Sequence, residues 1–153
     1  MLKHIMITGS TGRPKGVMIH HSAVLTAAHA WTKRAELSSS TRMLQFLSYA
    51  FDASIAEIFF PMIRGGMVCI PMEDDRLNDI GRFIYDLKCN SAIITPSFAR
   101  TIPQKYLSQF QCLSLGGEVV LREDITERFA SIPKLLTSSV HFNPVCLLKF
   151  SDG

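Results

Sequence analysis

No stretch of this chain approaches the about 18 consecutive apolar residues that a membrane-spanning helix needs, so nothing in it reads as a span. Charge is not massed either: 16 basic and 13 acidic residues leave a net charge of +3, scattered along the sequence. That pattern is a solvated surface, and it argues against a nucleic-acid stripe or a polybasic membrane tag. The four cysteines, Cys69, Cys89, Cys112 and Cys146, include no Cys-x-x-Cys pair and no histidines at metal-ligand spacing, so no metal site is expected. Cys69 and Cys112 fall in apolar runs, where a reduced thiol behaves as a small hydrophobe. Repeats, low-complexity tracts and Pro/Ser linkers are missing, and a Gly-Ser-Thr loop begins before any signal-peptide apolar region has room. These absences together lead to the expectation of a soluble, cytoplasmic protein.

What is present is globular. Hydrophobic residues make up 47% of the 153 and charged residues 19%, too apolar for disorder. A chain of this size fits one domain and can bury roughly 70% of its unfolded surface. Short apolar runs alternate with helical periods. Strands are expected at 5–7, 17–19, 43–48, 67–70, 92–95 and 112–115. Helices are expected from Ser22 as N-cap to about 37, from Ser54 with Ile55, Ile58, Phe59, Met62 and Ile63 on one face, and over 76–88 behind an Asp74 or Asp75 cap. A helical turn capped by Ser97 and a last helix carrying Leu121, Ile125 and Phe129 complete the pattern. Pro61 inside the second helix must kink or shorten it. Such alternation argues for βα units around a mainly parallel sheet covered on both faces.

The most informative stretch is Thr8-Gly9-Ser10-Thr11-Gly12-Arg13-Pro14-Lys15-Gly16. Glycines let backbone amides approach an anion, hydroxyls donate hydrogen bonds, and Lys15 adds a mobile point charge, so the loop suits a polyphosphate. A Gly-rich hairpin turn uses the same residues. The loop is not a Walker P-loop: Pro14 stands where the second glycine should be, and Gly16 follows Lys15 where a magnesium-binding hydroxyl is required. In order and register, residues 8–17 resemble the core signature of adenylate-forming enzymes, Ser/Thr-Gly-Ser/Thr-Thr-Gly-x-Pro-Lys-Gly-Val.

Three further motifs extend the resemblance to about residue 130. Phe51-Asp52-Ala53-Ser54, followed by Glu57 and Gly65-Gly66, is similar to a motif of amino-acid adenylation domains from non-ribosomal peptide synthetases. Locally, Ser54 and Glu57 also read as a capping box. Ile94-Thr95-Pro96-Ser97 and Leu113-Ser114-Leu115-Gly116-Gly117-Glu118 resemble two later landmarks of the same family. The resemblance implies a partial adenylate-forming N-terminal core of α/β fold. It implies that Thr8, Gly9, Ser10, Thr11, Gly12, Lys15 and Gly16 hold phosphates of ATP with Mg2+, and that Asp52 receives the substrate's α-ammonium group. It puts Ala53, Ala56, Ile93, Leu113 and Leu115 around a small hydrophobic amino acid, with the phosphopantetheine thiol of a carrier-protein domain as acyl acceptor. Ordinary core packing accounts for the same apolar residues equally well. His21 matches a family histidine that follows the phosphate loop. No residue is assigned as catalytic.

An Asn-x-Tyr-Gly-Pro-Thr-Glu-like motif, expected after Gly116-Gly117-Glu118, is not found, and residues 132–153 show no period of helix or strand. The expectation is therefore a partial AMP-binding core over 1–131 with an atypical tail over 132–153, inactive by itself and of low solubility. Two alternatives stay open: a non-catalytic nucleotide-binding or interaction remnant, and a fragment of an acyl-CoA synthetase-type ligase. Asp52 weighs against the second, because a fatty acid offers no amino group to face it.

Overall fold

The computed structural model describes the backbone of residues 3–7 and 15–19 and the full structure of residues 20–137. Two strands, β1 (Lys3–Ile7) and β2 (Lys15–Ile19), pair antiparallel with Ile7 opposite Lys15 and Met6 opposite Gly16. A second sheet holds five parallel strands in the order β4-β3-β5-β6-β7: β3 (Arg42–Leu44), β4 (Met67–Cys69), β5 (Ser91–Ile94), β6 (Cys112–Leu115) and β7 (Lys134–Thr137). Helices α1 (His21–Arg34), α2 (Ser54–Ile63), α3 (Glu73–Asn78), α4 (Ile80–Asp86), α5 (Pro96–Thr101) and α6 (Gln104–Leu107) connect them. The expected α/β architecture with a mainly parallel sheet is the one observed.

Every residue of β5 and β6 is buried. Because successive strand side chains point to opposite faces, the sheet separates two cores. Leu44, Ala92, Ile94, Leu113 and Leu115 pack with Ile84, Ala99, Leu107, Phe110 and Phe129 on one side. Met43, Ile93 and Cys112 pack with Val24, Ala28, Ile55, Ala56 and Phe60 on the other, where Trp31 meets Phe60 at a ring distance of 5.7 Å.

Several elements differ from expectation, each for a local reason. Helix α1 begins at His21, one residue before the expected Ser22 cap, with extended His20 ahead of it and its carbonyl taking the first helical bonds. Leu25 stays exposed. In α2 the expected stripe turns largely outward: Phe59, Met62 and Ile63 are exposed, while Ala56, Glu57, Phe60 and Pro61 are buried. Pro61 sits in the last turn, and α2 ends two residues after it. The expected helix over 76–88 is two helices, broken at Asp79 (φ −150°, ψ 59°), whose Oδ1 accepts from the Arg82 amide at 2.9 Å. Asp75 does act at an N-terminus, but that of α3, accepting from the Met72 amide at 3.3 Å. Thr95, not Ser97, caps α5, its Oγ1 accepting from the Phe98 amide at 3.3 Å.

The last expected helix contains a π-type turn, Asp124–Arg128, in which the Phe129 amide reaches the Asp124 carbonyl at 2.8 Å. The wider turn rotates Asp124 inward and leaves Leu121 and Ile125 exposed, with Phe129 buried as expected. Strand β7 lies where no period was legible. It pairs with β6 from Cys112 opposite Lys134 to Leu115 opposite Thr137.

Gly81 shows how tightly the helices approach: a Cβ there would stand 2.4 Å from the Tyr106 ring. Alanine would favour the helix by about 1 kcal/mol, but a clash of that size costs more. Gly81→Ala is expected to lower stability by about 1–3 kcal/mol, read by urea denaturation, with Tyr106→Ala in the same chain relieving the effect.

Candidate active site

In a parallel α/β sheet, ligands bind outside the carboxyl ends of the strands. Here β3, β5 and β6 run side by side, so the loops that follow them share one edge. Those loops are 45–53, Thr95 with the start of α5, and 116–121, and each holds one of the sequence motifs. The fold therefore brings three motifs of separate sequence position to a common edge.

Two of them are bonded directly. Glu118 Oε2 accepts from the Ser97 amide at 3.1 Å and from the Ser97 hydroxyl, and these bonds hold its carboxyl below the usual range. Gly117 adopts φ +81°, a conformation that favours glycine, and the Gly116 amide donates to the Ile94 carbonyl at 3.2 Å. Behind this turn Arg100 grips Asp124 through two hydrogen bonds of 2.8 and 2.6 Å. Asp124 also accepts from the Leu121 amide at 2.9 Å, and the Arg100 bonds lower its pKa.

The third motif sits where the 45–53 loop enters α2. Asp52 is half-buried, and its Oδ1 accepts from the Ala53 amide at 2.8 Å. The expected capping box does not form, because Ser54 Oγ donates to the Phe51 carbonyl at 2.6 Å and Glu57 turns elsewhere. Glu57 is fully buried. Its carboxylate receives the Phe46 amide at 3.2 and 3.3 Å, the Leu47 amide at 3.3 and 3.1 Å, and Gln45 Nε2 at 3.2 Å. Burial nevertheless dominates these donors and pushes its pKa up to about 8. Arg76 closes the cluster: Nη1 donates to the Phe46 carbonyl at 2.5 Å and Nη2 to Gln45 Oε1 at 3.2 Å. The Phe46 ring lies under Arg76 and stacks on Phe98 at 4.0 Å, joining the first loop to α5.

Of the remaining predicted residues, Thr8, Gly9, Ser10, Thr11 and Gly12 lie outside the described residues. Lys15 and Gly16 open β2, and the pairing of Ile7 with Lys15 brings the two ends of the 8–14 segment together. His21 is the exposed first residue of α1. Ala53 is buried at the start of α2. Ala56 and Ile93 pack in the core with α1, whereas Leu113 and Leu115 pack in the other core, across the sheet. The β5 residue that shares a face with Leu113 and Leu115 is Ile94. Among the described residues no three His, Cys, Asp or Glu side chains cluster as metal ligands, and no helix is long and apolar enough to cross a membrane.

Residues 7–138 match the AMP-binding enzyme family. The chain belongs to that family. Its relatives are non-ribosomal peptide synthetases. Nonribosomal peptide synthetase 8 of Aspergillus fumigatus is 43% identical over 121 residues, covering 79% of this chain and 1% of that protein. Nonribosomal peptide synthetase opaA of Aspergillus ustus is 36% identical over 151 residues, covering 97% of this chain and 4% of that protein. Among solved structures, the Vibrio cholerae adenylation domain AlmE in complex with glycyl-adenosine-5'-phosphate superposes with a TM-score of 0.75 at 19% identity, over 89% of this chain and 27% of that one. The AMPPNP-bound synthetase FmoA3 gives 0.72 at 19% identity, over 89% and 15%. The chain thus has the adenylation-domain fold over its described length, and it spans only a small part of the proteins it matches. The resemblance seen in its motifs is the lineage the comparisons give.

Reading the site from sequence missed Gln45, Arg76 and Asp124, and it placed Glu57 only in a motif and a capping box. Glu57 left a further signal: it is the single acidic residue on the α2 face that carries Ala56 and Phe60. Its raised pKa has a testable sign. The folded chain holds the Glu57 proton more tightly than the unfolded chain, so its contribution to stability is fully present below about pH 4.5 and is lost as pH rises toward 8. The melting temperature is expected to fall across that window in the wild type, and Glu57→Gln to remove most of the slope.

Proposed function

We propose that this AMP-binding chain carries the substrate-facing part of an amino-acid-activating ligase of the non-ribosomal peptide synthetase type. In that reaction a carboxylate oxygen of the amino acid attacks the α-phosphorus of ATP supplied with Mg2+. The bond to the bridging oxygen breaks and pyrophosphate leaves; the phosphopantetheine thiol of a carrier domain then attacks the acyl carbon, the acyl–phosphate bond breaks, and the thioester forms with release of AMP. The protein's task is to hold two mutually repelling anions in line, which is a matter of positioning and charge neutralisation.

The observation that supports this reading best is Asp52, half-buried at the carboxyl edge of the sheet beside the loops of the other two motifs. A carboxylate placed there compensates an α-ammonium group that would be costly to bury alone. In the same reading Thr8, Gly9, Ser10, Thr11, Gly12, Lys15 and Gly16 take the β- and γ-phosphates, and the substrate is a small hydrophobic amino acid. Relatives and neighbours support an adenylate-forming role: AlmE was solved with an aminoacyl adenylate and FmoA3 with an ATP analogue. The core is proposed to occupy 1–131 with β7 (Lys134–Thr137) as its added edge, and the protein to act in the cytoplasm.

Calorimetric titration of the chain in Mg·ATP with a panel of hydrophobic amino acids tests the assignment. Asp52→Asn is expected to weaken amino-acid binding at least tenfold, or about 1.4 kcal/mol, with ATP affinity unchanged. Lys15→Ala is expected to weaken ATP. Equal uptake of the matching carboxylic acids without an amino group would favour the acyl-CoA synthetase-type ligase instead. Binding of ATP with no uptake of either acid would favour a nucleotide-binding remnant.

A further inference from the structure

The 45–53 loop ends at Asp52 and Ala53, where it runs straight into α2, and it begins at Gln45–Leu47, where it is fastened to the same helix. The fastening is a single side chain. Consecutive amides in a strand point in opposite directions, yet the Phe46 and Leu47 amides both reach the Glu57 carboxylate, at 3.1 to 3.3 Å. The chain must leave extended conformation there for this to happen. That explains why β3 stops at Leu44 and not at residue 48.

We infer that Glu57 is a positioning residue for the amino-acid substrate: by fixing the near end of the 45–53 loop to α2, it sets where Asp52 stands. The inference rests on the role proposed for Asp52 above. Glu57 itself is fully buried. Its effect runs through the backbone, from Phe46 and Leu47 along the loop to the Phe51 carbonyl, held by Ser54 Oγ, and to Asp52. The groups packed against it hold the arrangement from outside. Arg76 of α3 binds the Phe46 carbonyl and Gln45 Oε1, and Phe98 of α5 stacks on Phe46. Arg76 is the charge that faces Glu57, with Glu73 behind it at 3.9 Å from Arg76 Nε.

A carboxyl is suited to this position. It accepts from two neighbouring amides and a side-chain amide at once, whereas an apolar replacement would leave buried donors unpaired. Glutamine keeps one acceptor oxygen for the two backbone amides. The pair Glu57→Ala and Glu57→Gln therefore separates loss of the anchor from loss of the charge.

The test is residue-resolved amide hydrogen exchange on the full chain, with amino-acid binding in Mg·ATP measured on the same samples. In Glu57→Ala, exchange at Phe46, Leu47 and residues 49–53 is expected to rise at least tenfold at pH 7. Ile93 and Leu113 in the sheet are expected to be unchanged, and amino-acid affinity to fall about tenfold. Glu57→Gln is expected to restore both. In the wild type, exchange at 49–53, corrected for base catalysis, is expected to follow a titration that Glu57→Gln abolishes. If Glu57→Ala does not fold, Glu57→Asp, one methylene shorter, takes its place with the same expectations. A rise confined to Phe46 and Leu47, or one spread evenly over the sheet, overturns the inference whatever the chain binds. A wild type that shows the loop coupling but takes up no amino acid overturns the adenylation reading and leaves Glu57 as the anchor of the loop.

Discussion

A parallel sheet exposes no face to water, and most of what this chain does follows from that constraint. The inner strands β5 and β6 are buried at every residue, so their side chains must satisfy two separate cores at once. Helices α1 and α2 close one face, and α4, α5, α6 and the π-type turn close the other. Because the strands all run one way, the connections at their carboxyl ends are gathered on one edge. The three motifs meet there without any of them being near another in sequence.

The same constraint decides how α2 lies. The residues Phe59, Met62 and Ile63 are left to water, and the face with Ile55, Ala56, Phe60 and one glutamate goes inside. Two gains accompany this choice. Ala56 lets the helix come close over Met43 and Ile93, and Glu57 supplies acceptors for backbone amides that the end of β3 would otherwise bury unpaired. The choice leaves an apolar surface on α2, and Met67, Ile70 and Met72 are also exposed along and beyond the edge strand β4. Surfaces of this kind promote association between chains.

Most strands and the order of βα units were legible because a buried strand is a short apolar run bounded by breakers, and Cys112–Leu115 is placed residue for residue. Lys134–Thr137 was not. Its residues are only partly buried at the sheet edge, so it carries no alternation to read, and only its pairing with β6 makes it a strand. Helix ends failed where a capping side chain had a better partner: Ser97 serves Glu118, and Glu57 serves Phe46 and Leu47. The motifs were legible as separate stretches, and the fold brings their loops to one edge. The face each apolar residue takes was not legible, because residue spacing without the strand's parity cannot tell Ile93 from Ile94. The two pack on opposite faces of the sheet.

Two carboxyls five residues apart in sequence, Asp52 and Glu57, show how local environment divides their work. Glu57 is sealed inside, where desolvation opposes its charge and raises its pKa despite the amides that bind it. Asp52 stays half-buried at the open edge, with the Ala53 amide on one oxygen. A buried glutamate that is largely protonated near neutral pH adds little negative potential of its own. At the same edge Glu118 is engaged by the Ser97 amide and hydroxyl. The carboxyl that anchors the loop is thereby sealed from solvent, and the one the loop carries stays half-buried at the carboxyl edge of the sheet.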